Sequence, residues 1–335
     1  MRANVNRLEL VGVQDNRYDD FDLMAHDARG WDIHYQQVGA GTFSGRMTQV
    51  ILNSLQIGRV QWCPGILDHG TAPAGSWVVA LPVAAEGTLH VRGRPASADQ
   101  PMFVPAGEDI AFAANGRTDL IVAAIDTAQI EHWMQVRRGI DGIDGRGILD
   151  TCAASGTELA QRTSLLNQTI RVLMAHSHDA SQDILNSAHS AVLDTILAVV
   201  PSLETVEPLH RRAKVSATMR ALLGDSLEGA MTITDLCARI GVRERTLYLA
   251  CQEAFGRSPK RLLHEFRLNA VRRELLQPTN LTNVTSVALR FGFLHLGRLA
   301  ADYRNQFGER PSETLARARG ERPRSKRQPT GPDQR

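Results

Sequence analysis

Residues 233–241 read ITDLCARIG, and 51 positions later residues 284–292 read VTSVALRFG. Ile233 aligns with Val284, Thr234 with Thr285, Leu236 with Val287, Arg239 with Arg290 and Gly241 with Gly292. One position further in offset, Phe255-Gly256 aligns with Phe307-Gly308 and Pro259 with Pro311. This duplication constrains the fold more than any other feature, because a recurring segment is one supersecondary unit built twice. Each copy reads as a short helix, a Gly at a turn, and a longer second helix that ends at Phe-Gly. Gly suits a helix end that exits through a left-handed residue, since it carries no Cβ to clash. Such a helix-turn-helix lays its second helix in the DNA major groove while the first crosses the backbone.

Between the copies, residues 260–277 (KRLLHEFRLNAVRRELLQ) carry a helical apolar stripe closed by Pro278. A helix of that length spans about 27 Å at the usual rise per residue. Helix-turn-helix units at its two ends are then compatible with successive major grooves about 34 Å apart. Charge points the same way. Residues 201–335 hold 24 Lys+Arg against 14 Asp+Glu, whereas residues 1–200 hold 14 against 22. A basic half attracts phosphate, and an acidic half is repelled from it and is left to face a ligand or another protein.

Residues 208–318 resemble the DNA-binding domain of the AraC/XylS regulators, through RIGVRERTLYLACQEAFGRSPKRLLHEFRLNAVRRELL and VALRFGFLHLGRLAADYRNQFGERPSETL. The wording HLGRLAADYR is similar to regulators of the ethanolamine-operon type. On the first recognition helix Leu247, Ala250, Cys251, Ala254 and Phe255 form the inward stripe, which leaves Arg243, Glu244, Arg245, Tyr248 and Gln252 outward. The resemblance implies base reading at Arg245 and Tyr248, and an Arg suits the O6 and N7 of guanine. Glu244 is suited either to accept from a cytosine N4 or, the favoured reading, to cap and solvate the helix start. On the second, Leu299, Tyr303 and Phe307 pack inward, with His295, Gly297, Arg298, Ala301, Asp302 and Arg304 outward. Arg298 is the expected base reader there. Gly297 and Ala301 stand where many relatives carry polar residues, so this unit leans on phosphate and thymine-methyl contacts. Arg243, Lys260, Arg261, Arg304 and Arg310 are expected on phosphates.

The N-terminal half has a different texture. From residue 47 to 126, short apolar or alternating runs such as SWVVALPV, GTLHVRG and DLIVAAI are separated by Gly and Pro, as strands are. Such spacing suggests a small antiparallel barrel or jelly roll, and the resemblance implies a cupin-like, effector-sensing one. GAGTFSG at residues 39–45 reads as a hairpin loop rather than a nucleotide cradle. Helical patterns follow over 129–138, 158–176 and 182–200, interrupted by the loop GIDGIDGRG at 139–147. The expected fold class is α+β: an N-terminal cupin-like β-barrel or jelly roll with a helical linker, and a C-terminal all-α double helix-turn-helix domain. The expected boundaries are 1–150 for the regulatory domain, 151–205 for a linker and dimerisation segment, 206–318 for the DNA-binding domain and 319–335 for a disordered basic tail.

Trp62, Trp77 and Phe103 are the candidate ligand-binding residues, placed to line an apolar pocket. No metal or cofactor is expected: His69, His90 and Glu108 stand alone, and His176 and His178 fall on different sides of a helix end. Cys63, Cys152, Cys237 and Cys251 form no CxxC pair and read as structural. The expected partners are double-stranded DNA, RNA polymerase, a small-molecule effector and a second copy of the chain, with no membrane. The opening residues carry no secretory signal, so a cytoplasmic protein is expected. Two alternatives stand beside a ligand-responsive regulator. One is a regulator governed by protein partners; the other is an enzyme, a cupin-type metalloenzyme or a repair methyltransferase fused to a DNA-binding domain.

Overall fold

The computed structural model describes residues 8–53, 55–138, 156–199, 211–225 and 231–321. Its strands are β1 (Leu10–Tyr18), β2 (Asp32–Gln37), β3 (Ser44–Leu52), β4 (Leu55–Cys63), β5 (Ile66–Thr71), β6 (Ser76–Ala85), β7 (Leu89–Val91), β8 (Arg94–Ala96), β9 (Met102–Val104), β10 (Ile110–Ala114) and β11 (Thr118–Asp126). A short helix, α1 (Phe21–His26), separates β1 from β2. The later helices are α2 (Thr127–Arg138), α3 (Gly156–Ala175), α4 (Gln182–Leu197), α5 (Arg211–Asp225), α6 (Ile233–Ile240), α7 (Glu244–Phe255), α8 (Pro259–Leu276), α9 (Val284–Arg290), α10 (Leu296–Phe307) and α11 (Pro311–Ala318). The expected loop at 139–147, Cys152, the link between Pro201 and Pro208 and the tail from residue 322 lie outside the described residues, as do the expected boundaries at 150 and 205.

The α+β class holds, with one correction to its first half. The strands make two antiparallel sheets, ordered β1-β3-β4-β11-β6-β9 and β2-β5-β10-β7-β8, rather than a closed barrel. The residues at 39–45 are likewise no hairpin loop, since they carry the chain from β2 in one sheet to β3 in the other. The strand region also starts earlier than residue 47. β1 pairs with β3 from Tyr18 opposite Gly45 to Leu10 opposite Leu52. It occupies an edge, where half its side chains meet water, and its sequence LVGVQDNRY is correspondingly polar.

The larger sheet is covered on both faces. Trp77, Val79 and Leu81 of β6 pack with Ile121 and Ile125 of β11 against Leu166, Ile170 and Val192 from α3 and α4. The other face meets the smaller sheet, and the buried cluster there continues through Phe21 and Phe43 to Leu247, Phe266, Tyr303 and Phe307 of the C-terminal helices.

α8 closes the open edge of β2. Buried backbone groups on an edge strand need partners, and side chains of α8 provide them. Asn269 donates to the Gln37 carbonyl at 2.9 Å and accepts from the Gln37 N–H at 3.1 Å. Arg273 donates to the Tyr35 carbonyl at 2.6 Å and to Asp22 at 2.9 Å. Arg272, 5% exposed, meets Asp20, 11% exposed, at 2.7 Å, and its guanidinium lies 4.7 Å from the Phe21 ring centre. The remaining oxygen of Asp20 caps α1 by accepting from the N–H groups of Asp22 and Leu23. The end of α10 is tied in as well, since the Gly41 N–H donates to the Asn305 carbonyl at 3.0 Å.

Candidate nucleic-acid interface

Both copies of the repeat fold into the same device. α6 begins with a capping box, in which Thr232 Oγ1 accepts from the Asp235 N–H at 3.2 Å and the Asp235 carboxylate accepts from the Thr232 N–H at 2.7 Å. It ends at Gly241 with φ +74°, a left-handed turn into α7. α9 begins with Asn283 Oδ1 accepting from the Ser286 N–H at 2.8 Å, and Gly292 makes the corresponding turn at φ +79°. A side chain with a Cβ is strained at either position, so these two glycines set the angle between the paired helices.

The supporting helices are capped by side chains, and the recognition helices are not. α7 starts at Arg243 and α10 at His295, neither of which makes a side-chain capping bond. Their first N–H groups are thus left toward solvent, where a helix end favours anions.

The expected inward stripes are buried: Leu247, Ala250, Cys251, Ala254 and Phe255 on α7, and Leu299, Tyr303 and Phe307 on α10. Opposite them on α7, Arg243, Arg245 and Tyr248 are exposed and Gln252 is half-buried. Positions 245, 248 and 252 share one helix face, and the Gln252 amide donates to the Tyr248 hydroxyl at 3.3 Å. Glu244 is exposed in the first turn and forms no cap. On α10, His295, Gly297, Arg298, Ala301 and Arg304 are exposed, as is Lys260 at the start of α8.

Asp302 departs from the outward placement. It is half-buried, 3.2 Å from His264 Nε2 on α8 and 3.7 Å from Arg298 Nε. Burial holds the His264 imidazole below the ordinary histidine range, so near neutral pH it is uncharged. Arg298 is 81% exposed and free to swing away from this weak pairing. Arg261 is exposed but leans on Glu265 at 2.9 Å, and Glu265 also holds buried Arg257 at 2.5 Å. Arg257 in turn donates to Asn115 at 3.1 Å, a tie to the strand region that the sequence pattern does not signal.

A second concavity lies between the two sheets, with a cavity volume of about 100 Å³. Trp62 lines it together with Trp31, Tyr35, Met47, Met102 and Phe112. Trp77 and Phe103 do not line it. They point to the opposite face of the larger sheet, into the core shared with α3 and α4, because side chains alternate along a strand. Their neighbours Val78, Met102 and Val104 face the cavity instead. Sequence reasoning also missed Asp68, which lines the same cavity from β5. Its one signal is a carboxylate directly after the apolar pair Ile66-Leu67.

Among the described residues no three His, Cys, Asp or Glu side chains converge to hold a metal. Glu108 pairs with Arg92 at 2.7 Å. Cys251 is buried, and that burial pushes its thiol up to about 12. Cys63 is exposed at the end of β4 rather than packed. No helix among the described residues is long and apolar enough to cross a membrane.

Comparison with known proteins gives a consistent result. A family model described as a helix-turn-helix domain matches residues 236–317. The chain is 28% identical over 295 residues to a probable thc operon regulatory protein of Rhodococcus erythropolis, covering 82% of this chain and 85% of that protein. It is 37% identical over 93 residues to XylDLEGF operon transcriptional activator 2 of Pseudomonas putida, covering 28% of this chain and 59% of that protein. Among solved structures it is similar to a probable AraC family transcriptional regulator from Rhodopseudomonas palustris CGA009. That likeness has 35% identity and a TM-score of 0.30, and it covers 31% of this chain and 97% of that one.

Proposed function

The chain belongs to the AraC/XylS family of DNA-binding transcription regulators, and from that premise we propose how its parts divide the work. The carrying observation is the pair of capped helix, left-handed Gly and exposed recognition helix, built twice and joined by α8. α7 reads bases through Arg245, Tyr248 and Gln252. α10 reads chiefly through Arg298, helped by His295, while the small surfaces of Gly297 and Ala301 let the helix approach the groove closely. Arg243, Lys260, Arg304 and Arg310 meet phosphates, and the uncapped starts of α7 and α10 offer further N–H donors to them.

The cavity between the sheets is the effector site, walled by Trp31, Tyr35, Trp62 and Phe112. β2 couples it to DNA binding, since Ile33 and Tyr35 line the cavity while the carbonyls of Tyr35 and Gln37 bond to α8. The regulator works as a cytoplasmic homodimer that engages RNA polymerase. Support for the dimer is an apolar pair on α3, Leu165 at 47% and Val172 at 39% exposure, seven residues apart on one face. Supporting this function over an enzyme are the regulator relatives.

Selection of binding sites from random DNA tests the reading. The expected result is a two-part motif, with Arg245→Ala relaxing one base position by about 1–3 kcal/mol. Recovery of DNA without a motif would refute sequence-specific reading by α7 and α10.

A further inference from the structure

The cavity between the sheets carries chemical information about what enters it. Among the described residues twenty-three line it, and none of these is Lys, Arg or His. Asp68 is the only carboxylate among them. Its Oδ1 is buried without a hydrogen-bond partner, and so is the indole N–H of Trp62, another wall residue. Other polar wall groups bond to one another: Trp31 Nε1 donates to Gln56 Oε1 at 2.9 Å, and Gln49 Nε2 donates to the same oxygen at 3.0 Å. A buried acceptor and a buried donor left open in an aromatic-walled space are what a ligand satisfies.

Taking the cavity as the effector site, on which this rests, we infer that the effector is a ring-sized apolar molecule bearing an N–H or O–H donor, amines above all, and not a carboxylate. The donor bonds to Asp68 Oδ1, and the ring packs among Trp31, Trp62 and Phe112. A carboxylate would be desolvated beside Asp68 with no cation in the wall to offset the like charge. The surroundings disfavour the charged form of Asp68: burial lifts its carboxyl to about 7, with Arg220 on α5 pulling the other way. A bound ammonium restores the charged form by standing next to it. Arg220 belongs to the helix that packs on α7.

The test uses the intact chain and its own tryptophan fluorescence, since Trp31 and Trp62 wall the cavity. Benzylamine, benzyl alcohol and benzoate are titrated at neutral pH into wild type, Asp68→Asn and Val122→Phe, the last placing bulk into the cavity. Folding of each variant is verified by circular dichroism. The expected order is benzylamine, then benzyl alcohol, then benzoate, with roughly tenfold or more between first and last. Asp68→Asn is expected to bring the amine level with the alcohol, and Val122→Phe to weaken both. Benzoate binding as tightly as benzylamine, or an unchanged preference in Asp68→Asn, overturns the charge assignment while leaving the cavity as a site. No response to any of the three probes, or binding that ignores Val122→Phe, overturns the effector-site reading itself.

Discussion

Replacing Arg272 with Ala removes a deeply buried charge at the joint between the β-sheets and the helix-turn-helix units. Arg272 is 5% exposed and Asp20 is 11% exposed, 2.7 Å apart. A hydrogen bond between charged groups contributes about 1.5–3 kcal/mol, and a guanidinium over an aromatic ring, here Phe21 at 4.7 Å, about 0.5–2 kcal/mol. Truncation also leaves the Asp20 carboxylate buried beside a void, the circumstance in which breaking an ion pair costs about 3–5 kcal/mol. One Asp20 oxygen keeps its two backbone donors in α1, which favours the lower end, about 3 kcal/mol. At about 2–4 °C per kcal/mol for a unit of moderate size, Tm falls by roughly 6–12 °C. Thermal melts of wild type, Arg272→Ala, Asp20→Asn and the double variant measure the coupling between the two side chains. Arg46→Ala is the control: its partner Asp15 is also at 2.7 Å, but both side chains are 35–46% exposed, so under about 1 kcal/mol is expected. Equal, small losses for Arg272→Ala and Arg46→Ala, with no coupling between Arg272 and Asp20, would refute the argument that burial makes this pair strong.

Three further outcomes are expected. Lys260→Ala weakens binding to every DNA sequence alike and lowers the salt dependence by about one phosphate contact, whereas Arg298→Ala changes the preferred bases; a salt series on matched and mismatched sites separates them. Leu165→Asp with Val172→Asp gives a monomer in sedimentation while single-unit DNA contacts persist; a dimer that survives both changes places the two-fold contact elsewhere. Asp68 has a folded-state carboxyl lifted to about 7, so the fold binds its proton more tightly than the unfolded chain does, and stability falls as pH rises from about 4 to about 7. The groups facing it are Arg220 on α5 and Tyr35 on β2. Asp68→Asn should remove on the order of 2–4 kcal/mol of that loss, read from denaturant melts of both proteins at about pH 5 and about pH 8; a wild type that loses no more stability than Asp68→Asn between the two refutes it.

The helical half was legible because its information is local. The repeat, the Gly turns and the inward stripes of α7 and α10 each depend on residues within a few turns of one another, and the boundaries of α8 follow from Ser258-Pro259 and Pro278. The sheet half was less so, for two reasons. β1 is a polar edge strand with no apolar alternation to announce it. β6 is buried on both faces, so SWVVALPV reads as a continuous apolar run and gives no hint which of Trp77 and Val78 faces the cavity. The joint was invisible: Asp20 and Arg272 lie 252 positions apart, and neither carries a pattern that marks it.

The closure of β2 by α8 has a consequence for anyone who divides the chain. The smaller sheet does not finish its own border; it borrows Asn269 and Arg273 to do so. A fragment ending before α8 exposes the carbonyls of Tyr35 and Gln37 as a bare strand rim, which invites the rim of another fragment. Self-association of such a fragment would therefore report a wound left by the cut and not the contact through which intact copies meet.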